Sequence, residues 1–424
     1  KIQDIISCFD VLNQFKEIRY VYEAEAVLFY YLNNYDKFNN GNNYIEDETV
    51  LVFDMGGATI NATVVNVSKI EENNNTVYDI NILGKIGYSI GGDTIDYCIL
   101  KYLENFKNEY PELTNLTSNV NKEIKDKLKD AARVIKMQIV DYFNEGNDFL
   151  ITTPQLQSYL NIPLGNTIEF SEDSKLFQSL KKNARGTYSI FLNKVFIDLI
   201  YNNVRDAVNE VIDLSGVSNI SKVIFSGRST YFPYIKETVE KQIKSKGFDF
   251  NKVVFDEDTS KTAVAFGACW YGINKKAVRL HNLKTNSAFG FKHTIGPSMS
   301  NVEFLELIEM GHPFDVYNSE IDHIEDSISF SNSFALDGDK VNFFQIMGQD
   351  ANKILSGNQK HKFSKIASIK LPQPLSLIGM KVYENDNIEC MVKLISDQVL
   401  VEKGIVSDQD INDANEEHYT WIIN

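Results

Sequence analysis

Residues 50–67, "VLVFDMGGATINATVVNV", place two apolar, strand-like runs around one acidic, glycine-rich turn. The two runs predict an antiparallel hairpin with Asp54, Met55, Gly56, Gly57, Ala58 and Thr59 at its tip. Upstream, a mixed stretch over 14–32 ends in a helical apolar segment from Ala24 to Leu32, and the Asn-rich run 33–48 reads as a surface loop. Downstream come a second Asn-rich turn at 71–75 and a strand near Val77–Leu83. A glycine-rich turn over "GKIGYSIGGD" then opens a helix in which Ile95, Ile99, Tyr102, Leu103 and Phe106 share one face. Ile124, Leu128, Ala132, Ile135 and Ile139 mark another helix over 121–143. Residues 186–213 are helical in pattern and lead to a short apolar strand, a Gly-Ser turn and Pro233 in the first turn of a helix. A small-residue helix follows over 260–273.

After residue 277 the period changes. "SAFGFKH", "EFLELIE", "DSISFSNSF", "KVNFFQIMG", "KIASIKL" and "NIECMVKLI" are short, alternating and separated by turn residues, as in an antiparallel β-sandwich. A boundary near 275–285 divides the chain into an α/β part, 1–277, and a β-rich part, 278–424, with "NKKAVRLHNLKTN" as linker or first edge. The 424 residues are enough for two or three domains. Composition is that of a folded soluble protein, 43% hydrophobic and 24% charged. A net charge of −16 argues against nucleic acid as a partner, and no apolar run reaches membrane-spanning length. Cys8, Cys98, Cys269 and Cys390 are scattered, without zinc or disulfide spacing. The chain opens on Lys1, as a piece of a longer protein would.

An acidic turn with two glycines fits a plain β-turn, because both residue types are at home there. It also fits a phosphate cradle, where backbone N–H groups approach an anion and a carboxylate orders a metal ion. The order of "FDMGGAT" (53–59), "SIGGDTID" (89–96) and "FSGRSTYFP" (225–233), with helices between, resembles the second half of the actin-like ATPase fold. More narrowly it resembles the DnaK-type heat-shock chaperone family. "VYEAEAVLFYYL" and "TAVAFGACWYG" extend the likeness at both ends of the lobe, and "FFQIMGQDANKIL" with "KIASIKLPQPL" carries it loosely into the β-rich part.

The fold this resemblance implies is α/β, the second lobe of an actin-like (ribonuclease H-like) ATPase, followed by a β-sandwich-like, peptide-binding domain. It implies ATP or ADP and Mg²⁺ as cofactors, unfolded or extended peptides and co-chaperones as partners, and a cytoplasmic place of work. Asp54 would order the waters of Mg²⁺, and Gly56, Gly57, Ala58 and Thr59 would hold the β- and γ-phosphates. Glu23 would lie near the metal and the attacking water, although by itself it reads as an exposed helix-start carboxylate. Gly91 and Gly92 would line the cleft, Lys136 would reach towards the ribose, and Gly227, Arg228 and Ser229 would wrap the adenine side. The chain departs from the family at Ala58, which replaces a third glycine, and at Arg133 and Met137, which replace Glu and Arg. The family's first lobe would precede residue 1, so the chain as it stands should not turn over ATP efficiently. The alternatives are a non-catalytic actin-fold scaffold or binding module with a degenerate nucleotide site, and another actin-fold kinase.

Overall fold

The computed structural model describes residues 21–39, 47–72, 75–118, 121–144, 158 and 171–295 (apart from 172, 182 and 286), then 310–313 and nine strands of the β-rich part. The α/β part is built on a six-stranded sheet in the order β5-β4-β1-β2-β3-β6. Strands β1 (Glu48–Met55), β2 (Ile60–Glu72) and β3 (Asn75–Tyr88) form an antiparallel meander. Strands β4 (Lys222–Ser226) and β5 (Asn251–Val254) run parallel to β1, while β6 (Val278–His281) runs parallel to β3. The mixed sheet follows from the connections, because the short Gly56–Thr59 turn reverses the chain, whereas a parallel return needs a long crossover such as the helices before β4 and β5 provide.

β1 is apolar on both faces, so it has to be covered twice. Val50 and Val52 pack beneath α1 (Glu23–Asn33) and α6 (Glu257–Ile273). Leu51, Phe53 and Met55 pack on the other side against α2 (Gly92–Glu104), α3 (Lys122–Asn144), α4 (Asn202–Ser215) and α5 (Ile235–Ser245). The buried stripes have the helical period: Leu128, Ala132, Ile135 and Ile139 on α3, and Val204, Val208, Val211 and Ile212 on α4. α1 is buried almost all round, and it crosses α6 where Gly267 lies on the carbonyl of Ala26.

Four expectations shift. The strand expected at Val77–Leu83 runs on to Tyr88, so the second glycine turn shrinks to residues 89–91. Gly84 sits inside that strand, beside a bulge at Val64/Val65, because a Cβ there would press into the carbonyl of Val211 and the body of Ser215 on α4. Pro233 precedes its helix rather than opening it; Tyr234, in the left-handed region, intervenes, and α5 starts at Ile235. The helical run over 186–213 begins as a 3-10 turn at Ser189–Leu192 and then as Lys194–Phe196. A π turn at Ile197–Tyr201 leads into α4, where the Asn203 side chain donates to the Asp198 and Leu199 carbonyls that the wide turn releases. The Asn-rich loop contains a one-turn helix, Tyr35–Phe38, and 40–46 lie outside the described residues.

After β6, which belongs to the six-stranded sheet, the described strands of the β-rich part form two antiparallel sheets. One has the order β11-β10-β7-β8, from Ala288–Ile295 (β7), Asn301–Ile308 (β8), Lys340–Ile346 (β10) and Ser364–Lys370 (β11). The other contains Ser331–Phe334 (β9), Leu375–Val382 (β12), Ile388–Ser396 (β13) and Val399–Val401 (β14), with Tyr419–Ile423 (β15) also on β13. All six alternating segments read from the sequence overlap these strands.

Candidate functional site

The candidate site lies at the carboxyl ends of β1 and β4, which are parallel neighbours and pair Asp54 with Ser226. That is the end of an open α/β sheet at which ligands are usually bound. Asp54 is the last polar residue of β1 before the turn. It is 4% exposed, and burial, with a smaller contribution from the Glu23 charge, pushes its carboxyl up to about 6, against the opposing influence of the neighbouring Ser226 hydroxyl. The turn after it closes with the Gly56 N–H donating to the Thr59 carbonyl at 2.9 Å.

Antiparallel register sets Asn61 directly opposite Asp54, on the face that α1 covers. Glu23, the exposed first residue of α1, therefore arrives over this pair. The Asn61 side-chain amide donates to Glu23 Oε2 at 3.1 Å and to Thr59 Oγ1 at 3.3 Å. Two residues further along, Glu25 meets Lys85 of β3 at 2.5 Å, both side chains 2% exposed, with the Lys85 ammonium also over the ring of Tyr22. α1 is thus fixed by a buried ion pair two residues from the candidate acid.

The three glycine turns meet. The N–H groups of Gly92 and Asp93 donate to the carbonyls of Gly56 and Gly57 at 3.0 and 2.7 Å, and the Ser229 hydroxyl donates to the Gly56 carbonyl at 2.8 Å. A side chain on Gly91 or Gly92 would collide with the hairpin or with Ser229. Gly227 has φ +81° and lies against the Met55 carbonyl. These glycines are required by packing within the chain. Gly56 and Gly57 differ: neither has a positive φ, and a Cβ on Gly57 would meet nothing within 4 Å. Among the described residues, no packing contact demands a bare backbone at this tip. Ala58 also lacks a positive φ, so the departure from a third glycine carries no backbone strain.

Lys136 lies beside the second turn, where its ammonium is 2.7 Å from Asp96 and donates to the Gly92 carbonyl at 3.0 Å. Arg133, one turn before it, lies 3.3–3.7 Å from Asp93, Asp96 and Asp130, and Met137 is exposed. Arg228 points to solvent while its neighbour Ser229 is buried. Asn61, Ser226, Asp96 and the Glu25–Lys85 pair were not singled out from the sequence. Asn61 carried a readable signal, as a polar residue in register with Asp54 across a two-strand hairpin.

Among the described residues no cluster of three metal-ligating side chains forms a closed cage. Two carboxylates, Asp54 and Glu23, share one site and raise the cost of a second negative charge there. This donor set fits Mg²⁺, which keeps several waters and takes one or two carboxylates plus phosphate oxygens. A cleft of about 1000 Å³ opens at the opposite end of the sheet, but its buried Lys222 is already held by Tyr31, Asn39 and Glu48.

The Hsp70 protein family matches residues 15–165, which carry Glu23, the hairpin, Gly91–Gly92 and Lys136. A DnaK chaperone protein from Thalassiosira pseudonana is 29% identical over 197 residues. The matched residues are similar to the Hsp70/DnaK family. The aligned stretch covers 46% of this chain and only 27% of the DnaK relative. The mixed α/β lobe agrees with the actin-like ATPase fold of Hsp70 proteins, whereas the Gly227–Ser229 turn and the β-rich part lie beyond the Hsp70 match.

Proposed function

We propose that this chain forms the second lobe of an Hsp70-type nucleotide clamp and binds Mg-ATP or Mg-ADP at the hairpin tip. The bare, uncrowded backbone at Gly56–Gly57, beside two carboxylates that share one site, is the observation that carries this reading. Asp54 would hold Mg²⁺, and the backbone of Gly56, Gly57 and Ala58 with the Thr59 hydroxyl would take the β- and γ-phosphates. Mg²⁺ supplies charge neutralisation on those phosphates. Glu23 orients water near them, and positioning with electrostatics provides the catalysis that phosphoryl transfer needs. Lys136, Gly91 and Gly92 support the nucleoside side, and Gly227, Arg228 and Ser229 border the base.

In the intact parent, ATP hydrolysis would be coupled to the grip of the two antiparallel sheets on an unfolded or extended peptide, assisted by co-chaperones in the cytoplasm. Edge strands offer main-chain hydrogen bonds to such a peptide. The family likeness and the β-rich texture after residue 277 support this part. Calorimetric titration of Mg-ATP into the chain and into Asp54→Ala is the test. Binding that the substitution abolishes is the expected result, and no binding by the unsubstituted chain refutes the proposal.

A further inference from the structure

We infer that Asn61 is the positioning residue of the site, holding Glu23 over the hairpin tip so that one acid and one hydroxyl present themselves together. The inference rests on the phosphate-loop reading above. Glu23 is exposed and begins a helix whose preceding residue, Tyr22, provides no side-chain cap. By itself such a side chain samples several rotamers in water. Asn61 is 7% exposed and fixed in the middle of the sheet by its pairing with Asp54 on β1 and Gly87 on β3. Its amide nitrogen lies within 3.1 Å of Glu23 Oε2 and 3.3 Å of Thr59 Oγ1. A rigid strand residue thereby transmits its position to a mobile acid.

The neutrality of Asn61 is the second part of the argument. Asp54 is its cross-strand partner and Glu23 its hydrogen-bond acceptor, so it stands between the two carboxylates of the site. A carboxamide supplies N–H donors there without adding a third negative charge, and no carboxylate at pH 7 can donate. Its effect is therefore on the metal-dependent part of nucleotide binding, where Glu23 and Thr59 must face the same ion and phosphate. Small misplacements of such groups are expensive, up to about a hundredfold for 1 Å in catalytic settings.

The contact can be read without nucleotide. In protein labelled with ¹⁵N-asparagine, the Asn61 side-chain amide, assigned by its loss in Asn61→Asp, should exchange with solvent at least tenfold more slowly than exposed amides and shift in Glu23→Gln. Exchange at the exposed rate overturns the inference whatever the nucleotide result. The role is read by titrating ATP into the full chain in EDTA and then in excess Mg²⁺. Asn61→Leu should leave metal-free ATP affinity within threefold and cut the gain from Mg²⁺ at least tenfold, and adding Glu23→Gln should cost little more. A full Mg²⁺ gain in Asn61→Leu refutes the positioning role. An unsubstituted chain that binds no ATP under either condition refutes the phosphate-loop reading instead, a result on which the amide exchange does not depend.

Discussion

Replacing Asp54 with asparagine should stabilise the folded chain at neutral pH while weakening the Mg²⁺ binding proposed for it. Burial, with the Glu23 charge adding to it, pushes the Asp54 carboxyl from 3.8 in the unfolded chain up to about 6. A raised folded-state value means that folding opposes the charged form. The native state is therefore at no disadvantage from this group below pH 4 and loses stability as pH rises through the interval from 4 to 6. The gap between the two values corresponds to about 3 kcal/mol at pH 7.5. Asparagine has the same shape and no charge, so it avoids this loss at every pH. It brings two N–H donors that need partners, at a cost of about 1 kcal/mol. The net expectation is a gain of about 2 kcal/mol at pH 7.5 that disappears by pH 4. Urea unfolding of both proteins at pH 4.5, 6 and 7.5, followed by tryptophan fluorescence, measures it. Trp270 rests on Phe29 and Tyr78 over the sheet and reports the lobe. Equal stability of the two proteins across this range, or a variant that is weaker at pH 7.5, refutes the assignment of Asp54 as a carboxylate kept charged against the preference of the fold.

The Glu25–Lys85 pair should behave as a buried ion pair: Lys85→Met costs about 3–5 kcal/mol in urea unfolding, and adding Glu25→Met recovers most of it. A single-variant loss under about 1 kcal/mol would show the pair to be hydrated. The two classes of glycine should separate in paired measurements. Gly57→Ala leaves stability within about 0.5 kcal/mol and weakens Mg-ATP binding at least tenfold, whereas Gly227→Ala lowers the melting temperature or prevents folding, because φ is +81° and Met55 fills the space. A Gly57→Ala protein with unchanged affinity counts against the hairpin as a phosphate site. Burial raises the Cys98 thiol well above its usual value, while Cys269 is exposed. Native labelling at pH 8 with peptide mapping should modify Cys269 and spare Cys98, and labelling of both to the same extent would contradict the packing of α2.

Much of the lobe was legible because its elements carry their own period. The stripe from Ile124 to Ile139 has the period of a helix, and the two apolar runs on either side of the Asp54–Thr59 turn form a hairpin. The failures share one cause, which is that a residue's role was set by an element distant in sequence. Gly84 looks like a turn residue until α4 is laid across β3, when it becomes the only residue type that fits inside the strand. Lys85 reads as part of the glycine-rich turn until β3 runs through it and α1 covers that face with Glu25. The same limit applied at the site. Three glycine turns could be counted from the sequence, but not the division of labour among them, because only their convergence shows that Gly91, Gly92 and Gly227 are consumed by packing while Gly57 faces open space. The resemblance implies that Lys136 reaches towards the ribose, and in the structure it lies beside the second turn with its charge already committed to Asp96. A nucleotide that recruited Lys136 would have to compete with that carboxylate. Burial raises the Asp96 carboxyl against the pull of Lys136, so the pair weakens as Asp96 takes up a proton on acidification. If Lys136 does turn to the nucleotide, Asp96→Asn should free its ammonium and tighten nucleotide binding at neutral pH. Weaker binding in that variant would mean that the Lys136–Asp96 pair serves the site by bracing the Gly91–Gly92 turn beneath the hairpin.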